Sequence, residues 1–436
     1  MTNSNPSPDP RPWEAYRLSS QQSDRAREGH RHPESSPFEK TGEDDTSADT
    51  SRPHLLGRLR QWRERIGLRD GELLLLVLSA LGLGVAAVIL LRDSHPASTG
   101  MYALIALVPL FLVVWVLLRA DRIAPLPPRY LVMAGIWGGG IATSVAAVIN
   151  SGLFNDLVRY RGDVEMAEIA AATFVAPFSE EILKGIGTLL VLLLASRYIV
   201  SVANGVTVGG LVGAGFAFIE NIIYFAQAHG EGSANLGITI FGRAVMSPFI
   251  HPLATSLVGI GISAALLYAR FIWGWIWRLL LGWAGAILIH GMWNGFATLG
   301  VAWLALYLLI EMPVFFAWLI WVMRRPHQAL PRLRMGLLPY VATGWIGAQE
   351  VTMVTDMRFR RDARKWARPV GKSARQAMRR YLVAAGRLGL TQIYLEGHGP
   401  TRGRVEVAAD SLSVMIASRD LFLEQGAISA QSGTLP

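Results

Sequence analysis

The chain has 436 residues, 52% of them hydrophobic and 17% charged, with a formal net charge of +9. That balance is too apolar for a string of ordinary soluble domains and points to the membrane class. There is no cysteine, which excludes a disulfide framework, a thiolate metal site and a cysteine nucleophile. The basic residues stand mostly between and beyond the apolar stretches, where they would meet lipid headgroups; no continuous nucleic-acid face is implied.

Residues 1–54 are rich in Ser, Pro, Asp, Glu and Arg and have little to bury, the composition of a disordered tail. They lack the apolar core of a signal peptide, so the first span is expected to serve as an uncleaved anchor. Residues 55–71 form a basic juxtamembrane segment with Arg58, Arg60, Arg63, Arg65 and Arg69, which places them in the cytoplasm.

From residue 72 to 323, apolar runs near the ~20 residues that cross a bilayer succeed one another. Eight spans are expected: Glu72 to Leu91, Met101 to Leu118, Leu131 to Asn150, Glu168 to Ala195, Gly205 to Ala226, Ile238 to Tyr268, Trp273 to Leu299, and Val301 to Val322. The fold class is therefore all-α, a polytopic helix bundle of about eight transmembrane helices. Arg119, Arg122 and Arg129, then Arg197, then Arg270 and Arg278, then Arg324 and Arg325 mark alternate connections, so both termini are expected in the cytoplasm. Trp273, Trp275 and Trp277 mark one of those turns as interfacial. The glycines Gly138 to Gly140, Gly209, Gly210, Gly213 and Gly215 are expected to let helices approach closely.

Residues 324–436 form a cytoplasmic carboxy-terminal region. Within it Ala377, Met378, Tyr381, Leu382, Ala385 and Leu388 recur at three- and four-residue spacing among Arg375, Arg379, Arg380 and Arg387. This is a basic amphipathic helix, and three placements are open: on the anionic leaflet, packed on the membrane domain, or solvated with one packed stripe.

An ionisable group at bilayer depth costs at least ~2.5–3.5 kcal/mol, so a span keeps one only with a partner or a task. Span four keeps Glu180, Glu181 and Lys184; span five Glu220, Asn221 and Tyr224; span six Arg243 and His251; span seven His290 and Asn294. Counted from the outer ends of the expected spans, Glu180 and His251 lie ~18–20 Å deep, His290 ~13 Å and Glu220 ~9 Å. Pro177, Pro248 and Pro252 beside them suggest irregular helices around a wet cavity. A carboxylate beside a lysine can act as general base toward water, with histidines and an amide stabilising an oxyanion. Equally, His251, His290 and Glu220 could hold a divalent metal such as zinc that activates water. Spacing leaves both open. Glu311 in the last span stands outside this set and is expected to pair with a basic group.

Together these segments resemble the PrsW-type intramembrane protease family, distantly related to the CAAX-prenyl and bacteriocin-processing membrane proteases. The matching pattern is EExxK at Glu180, Glu181 and Lys184; a glycine-led phenylalanine–EN segment at Gly215, Phe218 or Phe216, Glu220 and Asn221, with the phenylalanine one place off the family's FxxEN spacing; an arginine eight residues before a histidine at Arg243 and His251; and a final histidine, His290. It covers roughly residues 131–322. The resemblance implies an intramembrane endopeptidase in a bacterial plasma membrane that cuts a single-span membrane protein, such as an anti-sigma factor, near its outer boundary. It also implies catalytic roles for Glu180, Glu181, Glu220, His251 and His290, with Lys184, Asn221, Arg243 and Asn294 in support. The rival classes are a proton-coupled transporter, whose relays use the same side chains, and an inactive membrane scaffold; no inverted repeat of the kind common in carriers is evident.

Overall fold

The computed structural model describes residues 70–92 and 95–431; the amino-terminal tail and nearly all of the basic juxtamembrane segment lie outside the described residues. Helices account for almost all of the described chain, and no strand occurs among the described residues. The membrane-spanning helices are α1 (Asp70–Arg92), α2 (Pro96–Ala120), α3 (Pro128–Arg161), α4 (residues 164–194), α5 (Val202–Glu231), α6 (Ser233–Tyr268), α7 (Ile272–Ala297) and α8 (Val301–Ala342). Seven of these are long and apolar enough to cross a membrane. The eighth, α4, is equally long, but its middle carries Glu180, Glu181 and Lys184. Those charges are compatible with a span only because they are buried inside the bundle.

The connections alternate between two ends. At one end the turns after α2 and α4 meet the carboxy-terminal region: Arg387 donates to the Pro125 carbonyl at 2.7 Å, and Arg404 donates to the Ile199 and Ser196 carbonyls at 2.7 and 2.9 Å. At the other end the start of α2 joins the end of α5 through the Tyr102 hydroxyl and the His229 ring. Crossing by crossing, this is the alternation that the arginine distribution anticipates.

Helices α5 and α6 form the centre, and glycine is what lets them touch. A Cβ on Gly213 would stand 2.4 Å from the His251 carbonyl oxygen, so α5 lies directly against the middle of α6. Gly138 to Gly140 form part of a π-helical turn in α3, where a Cβ on Gly138 would collide with the Val212 carbonyl. Further π-helical turns interrupt α4 at Ala171–Val175, α6 at Phe241–Met246 and α8 at Tyr307–Glu311. Such turns widen the helix by one residue and rotate the side chains beyond them onto a new face.

Helix α8 runs for 42 residues, about 63 Å, and so extends far past the ~30 Å hydrocarbon core. Around its emergent end pack α9 (Ala348–Thr355), α10 (Met357–Val370), α11 (Lys372–His398) and α12 (Arg402–Gln431), sharing a core with Leu333, Leu337, Tyr381, Leu388, Met415 and Phe422. Of the three placements open for the amphipathic helix of this region, the one packed on the membrane domain is found. Ala374, Ala377, Ala384 and Ala385 are buried, and Gly386 sits against the Ile123 carbonyl. Small residues on both flanks of its apolar stripe let neighbours close over it. The strongly basic surface helix is instead α10, held down by Arg360, which donates to the Val354 and Leu382 carbonyls at 2.9 and 3.2 Å.

Candidate active site

The charged residues of α4 begin one turn after the π-helical turn at Ala171–Val175, and two tryptophans brace them. Trp283 Nε1 donates to the Glu181 carbonyl and Trp137 Nε1 to that of Leu183, each at 3.0 Å. Gly185 and Gly187 leave room for those indole rings. This holds Glu180, Glu181 and Lys184 at the centre of the bundle, where Lys184 and Glu181 are completely buried.

Five helices, α3 to α7, converge there. Lys184 Nζ lies 2.7 Å from Glu181 Oε1, 3.3 Å from Glu180 Oε2 and 3.1 Å from His251 Nδ1, over the face of the Phe216 ring. Glu181 also accepts from the Thr255 hydroxyl at 2.9 Å and lies 3.0 Å from His290 Nδ1. Glu180 accepts from Asn150 Nδ2 at 3.1 Å, and its other oxygen is 3.8 Å from His290 Nε2. On the α5 side, Glu220 Oε2 is 2.7 Å from His251 Nε2 and bonded to the Arg243 guanidinium, which also donates to Asn221 Oδ1 at 2.9 Å. Asn294 Nδ2 donates to the Ala172 carbonyl at 3.0 Å and stands 3.3 Å from His290 Nε2. All nine residues singled out from the sequence thus fall in one connected network.

Tautomers are set by these partners. Facing an ionised Glu181, Nδ1 of His290 carries the proton, and the Nε2 lone pair points toward Glu180 and Asn294. Facing Glu220, Nε2 of His251 carries the proton, and its Nδ1 lone pair points toward Lys184. Both imidazoles therefore have a carboxylate behind them; the Nε2 lone pair of His290 faces Glu180 and Asn294, whereas the Nδ1 lone pair of His251 accepts from Lys184, which would have to move aside for His251 to ligate a cation.

A donor atom from each of Glu180, His251 and His290 lies within 4.8 Å of the other two, and all three residues are buried. Two imidazoles and one carboxylate are a suitable donor set for a zinc-like ion. In this geometry Glu220 is hydrogen-bonded behind His251, whereas Glu180 is the carboxylate that groups with both histidines and faces the His290 Nε2 lone pair.

Depth counted from the sequence separates Glu220 from His251 by ~10 Å, yet the two are hydrogen-bonded. The cause lies in the helix ends. Helix α5 continues to Glu231, five residues beyond its expected end, which puts Glu220 about 16 Å deep. Helix α6 is interrupted by a π-helical turn and a break at residues 247–249 just before His251. Arg243 does not snorkel to the interface but reaches across to Glu220. Glu311 forms no ion pair; both of its carboxylate oxygens are buried without a hydrogen-bond partner among the described residues, contrary to the expected basic neighbour.

Asn150, Ser179 and Thr255 are functional neighbours that the sequence does not single out. Single amides and hydroxyls are common in membrane helices and usually bond the backbone, so only their position relative to known charges could flag them: Thr255 is one turn past His251, and Ser179 precedes Glu180. Asn150 accepts from the Ser179 hydroxyl at 2.5 Å while donating to Glu180. Beside this pair opens a largely apolar cavity of about 1120 Å³ between α3, α4 and α7, lined by Ile149, Phe174, Phe178, Ser179, Gly291 and Gly295 among others.

Residues 126–320 match the model of the PrsW family intramembrane metalloproteases, a stretch that includes every residue of the network. No curated protein and no solved structure matches the chain.

Proposed function

From that family match, we propose that the chain is an intramembrane endopeptidase that cuts single-span membrane proteins, with the Glu180–His251–His290 cluster as its reactive centre. The observation that carries this reading is the convergence of two carboxylate-backed histidines on one further carboxylate inside a membrane bundle. Buried charge on this scale is costly to insert and unnecessary for helix packing.

Glu180, His251 and His290 would hold a divalent metal such as zinc, which when bound supplies Lewis-acid polarisation and a water of lowered pKa. The rest of the chemistry belongs to side chains. Glu181 fixes the ring of His290, and Glu220, itself held by Arg243, fixes that of His251. Lys184 keeps neighbouring carboxylates ionised and presents a cation toward the oxygen of an attacked carbonyl. Asn294 adds a hydrogen-bond donor at the same place. Without a metal, Glu180 is the carboxylate positioned to take a proton from water, with the same supporting groups.

The substrate would approach from the lipid through the cavity between α3, α4 and α7. Its apolar walls suit an apolar helix, and its floor at Ser179 and Gly291 adjoins Glu180 and His290 in sequence. With both termini in the cytoplasm of a bacterial plasma membrane, the centre lies within reach of the outer half of a substrate helix; an anti-sigma factor is one such substrate.

The test is reconstitution of purified protein with tagged single-span proteins. A cut within or beside the span is expected with wild type and absent with Glu180→Ala and His290→Ala. Intact substrate throughout, together with proton or solute flux in the wild type, would replace this reading by a carrier. Chelation and metal analysis of active protein decide the mechanism: loss of cutting restored by zinc supports the metal version, and full activity without bound ion removes it.

A further inference from the structure

At the opposite end of the bundle from the Tyr102–His229 bond, a second cavity of about 260 Å³ lies among the turns after α2 and α4, the end of α6 and the emerging part of α8. Asp121, Ser201, Tyr268, Arg325 and Arg332 contribute its polar lining. Among the described residues neither arginine forms an ion pair. Arg325 donates to Gln328 Oε1 at 3.0 Å and stands over the Trp321 ring, while its buried Nε has no partner. Arg332 reaches only the Tyr268 hydroxyl, at 3.4 Å.

The carboxylate of the lining does not serve them. Asp121 accepts from Asn204 Nδ2 at 2.8 Å and from the Leu126 amide at 3.4 Å, and burial raises its pKa to about 7, so its charge is partial near neutral pH and is engaged by those donors. Two guanidinium groups facing one cavity without a counter-charge are an unfavourable pairing unless an anion or water completes it.

We propose that this cavity binds the phosphate of an anionic phospholipid headgroup. The location selects lipid: the cavity is bounded by the last turns of α2 and α6, where these helices leave the hydrocarbon. Close by, Arg119 lies over the half-exposed Trp115 ring, an interfacial pairing. The fork of each guanidinium matches phosphate oxygens, and basic pockets between helix ends are suited to acidic headgroups. The bound lipid would tie α8, and with it the carboxy-terminal helices, to the turns of the membrane bundle. This inference is independent of the peptidase reading.

The experiment uses the full chain, purified in neutral detergent, with its unfolding midpoint monitored as phosphatidylglycerol, phosphatidylcholine or inorganic phosphate is added. Phosphatidylglycerol is expected to raise the midpoint in a saturable way, and the other two to leave it unchanged. Arg325→Gln with Arg332→Gln is expected to weaken the response at least about ten-fold. Ala329→Trp, which fills the cavity while keeping both arginines, is expected to do the same and carries the test if the double variant does not fold. An equal response to phosphatidylcholine, an equal response to inorganic phosphate, or an undiminished phosphatidylglycerol response in Ala329→Trp overturns the proposal.

Discussion

Glu181 and Glu311 are both carboxylates inside membrane helices, and both lie within two turns of a π-helical segment, yet their surroundings differ in kind. Glu181 meets Lys184, Thr255 and His290 at 2.7–3.0 Å, and removing any one partner leaves the others in place. Glu311 meets no hydrogen-bond partner among the described residues and lies on the α8 face that carries Trp303 and Tyr307, rings that pack with Trp293 of α7. A carboxylate held by several donors is fixed in charge and direction, which catalysis requires. Glu311 has only the Trp303 indole beside it as a donor, outside good hydrogen-bond geometry, so its removal should cost little.

The sharpest way to break this contrast is at Glu180, the carboxylate grouped with both histidines. Glu180→Gln keeps the shape and removes the charge; cutting of a reconstituted substrate is expected to fall by a factor on the order of 10³ or more, with helicity unchanged. Retained cutting would place the reactive centre elsewhere.

Next come the carboxylates behind the histidines. Glu181→Gln and Glu220→Gln are each expected to lower cutting about 10–100-fold, the size of effect found when a histidine-orienting partner is lost. If metal is bound, its affinity should fall in parallel, measured by competition with a chelator. Equal loss in all three glutamine variants would erase the distinction between the carboxylate in front and those behind.

A smaller effect concerns stability rather than chemistry. Burial raises the Asp121 pKa from 3.8 to about 7, because desolvation outweighs its hydrogen bonds to Asn204 and Leu126. Below pH 3.8 the carboxyl is protonated whether the chain is folded or not; between there and about pH 7 only the unfolded chain ionises. Stability is therefore expected to fall as pH rises through that window, and Asp121→Asn to flatten the fall. An unchanged pH profile of the unfolding midpoint in that variant would refute the assignment.

The smallest expected effect is at Glu311. Glu311→Gln should leave cutting within about two-fold of wild type and leave the unfolding midpoint unchanged or slightly raised, since a desolvated acid is exchanged for a neutral amide. A large loss of activity would show that Glu311 works with the main cluster after all.

Much of this was legible in the sequence, for identifiable reasons. Charged groups in apolar spans stand out because hydrocarbon tolerates so few, so Glu180, Glu181, Glu220, His251 and His290 declared themselves. Hydroxyls and amides do not, and Asn150, Ser179 and Thr255 acquire meaning only through what lies opposite them. The ends of spans were blurred because helices run on past the apolar stretch, as α3 does through Arg159 and Arg161 and α8 through Pro326, Pro331 and Pro339.

The order of residues by itself determined the helical class, the alternation of crossings and the set of side chains too polar for lipid, because each depends on local composition against a bilayer of fixed thickness. Only the tertiary structure decided which carboxylate faces the histidines and which stands behind them, that Arg243 serves Glu220, and that Arg325 and Arg332 share a cavity. Those relations depend on helix rotation, on π-helical turns and on close glycine contacts between distant segments, and no single span encodes them.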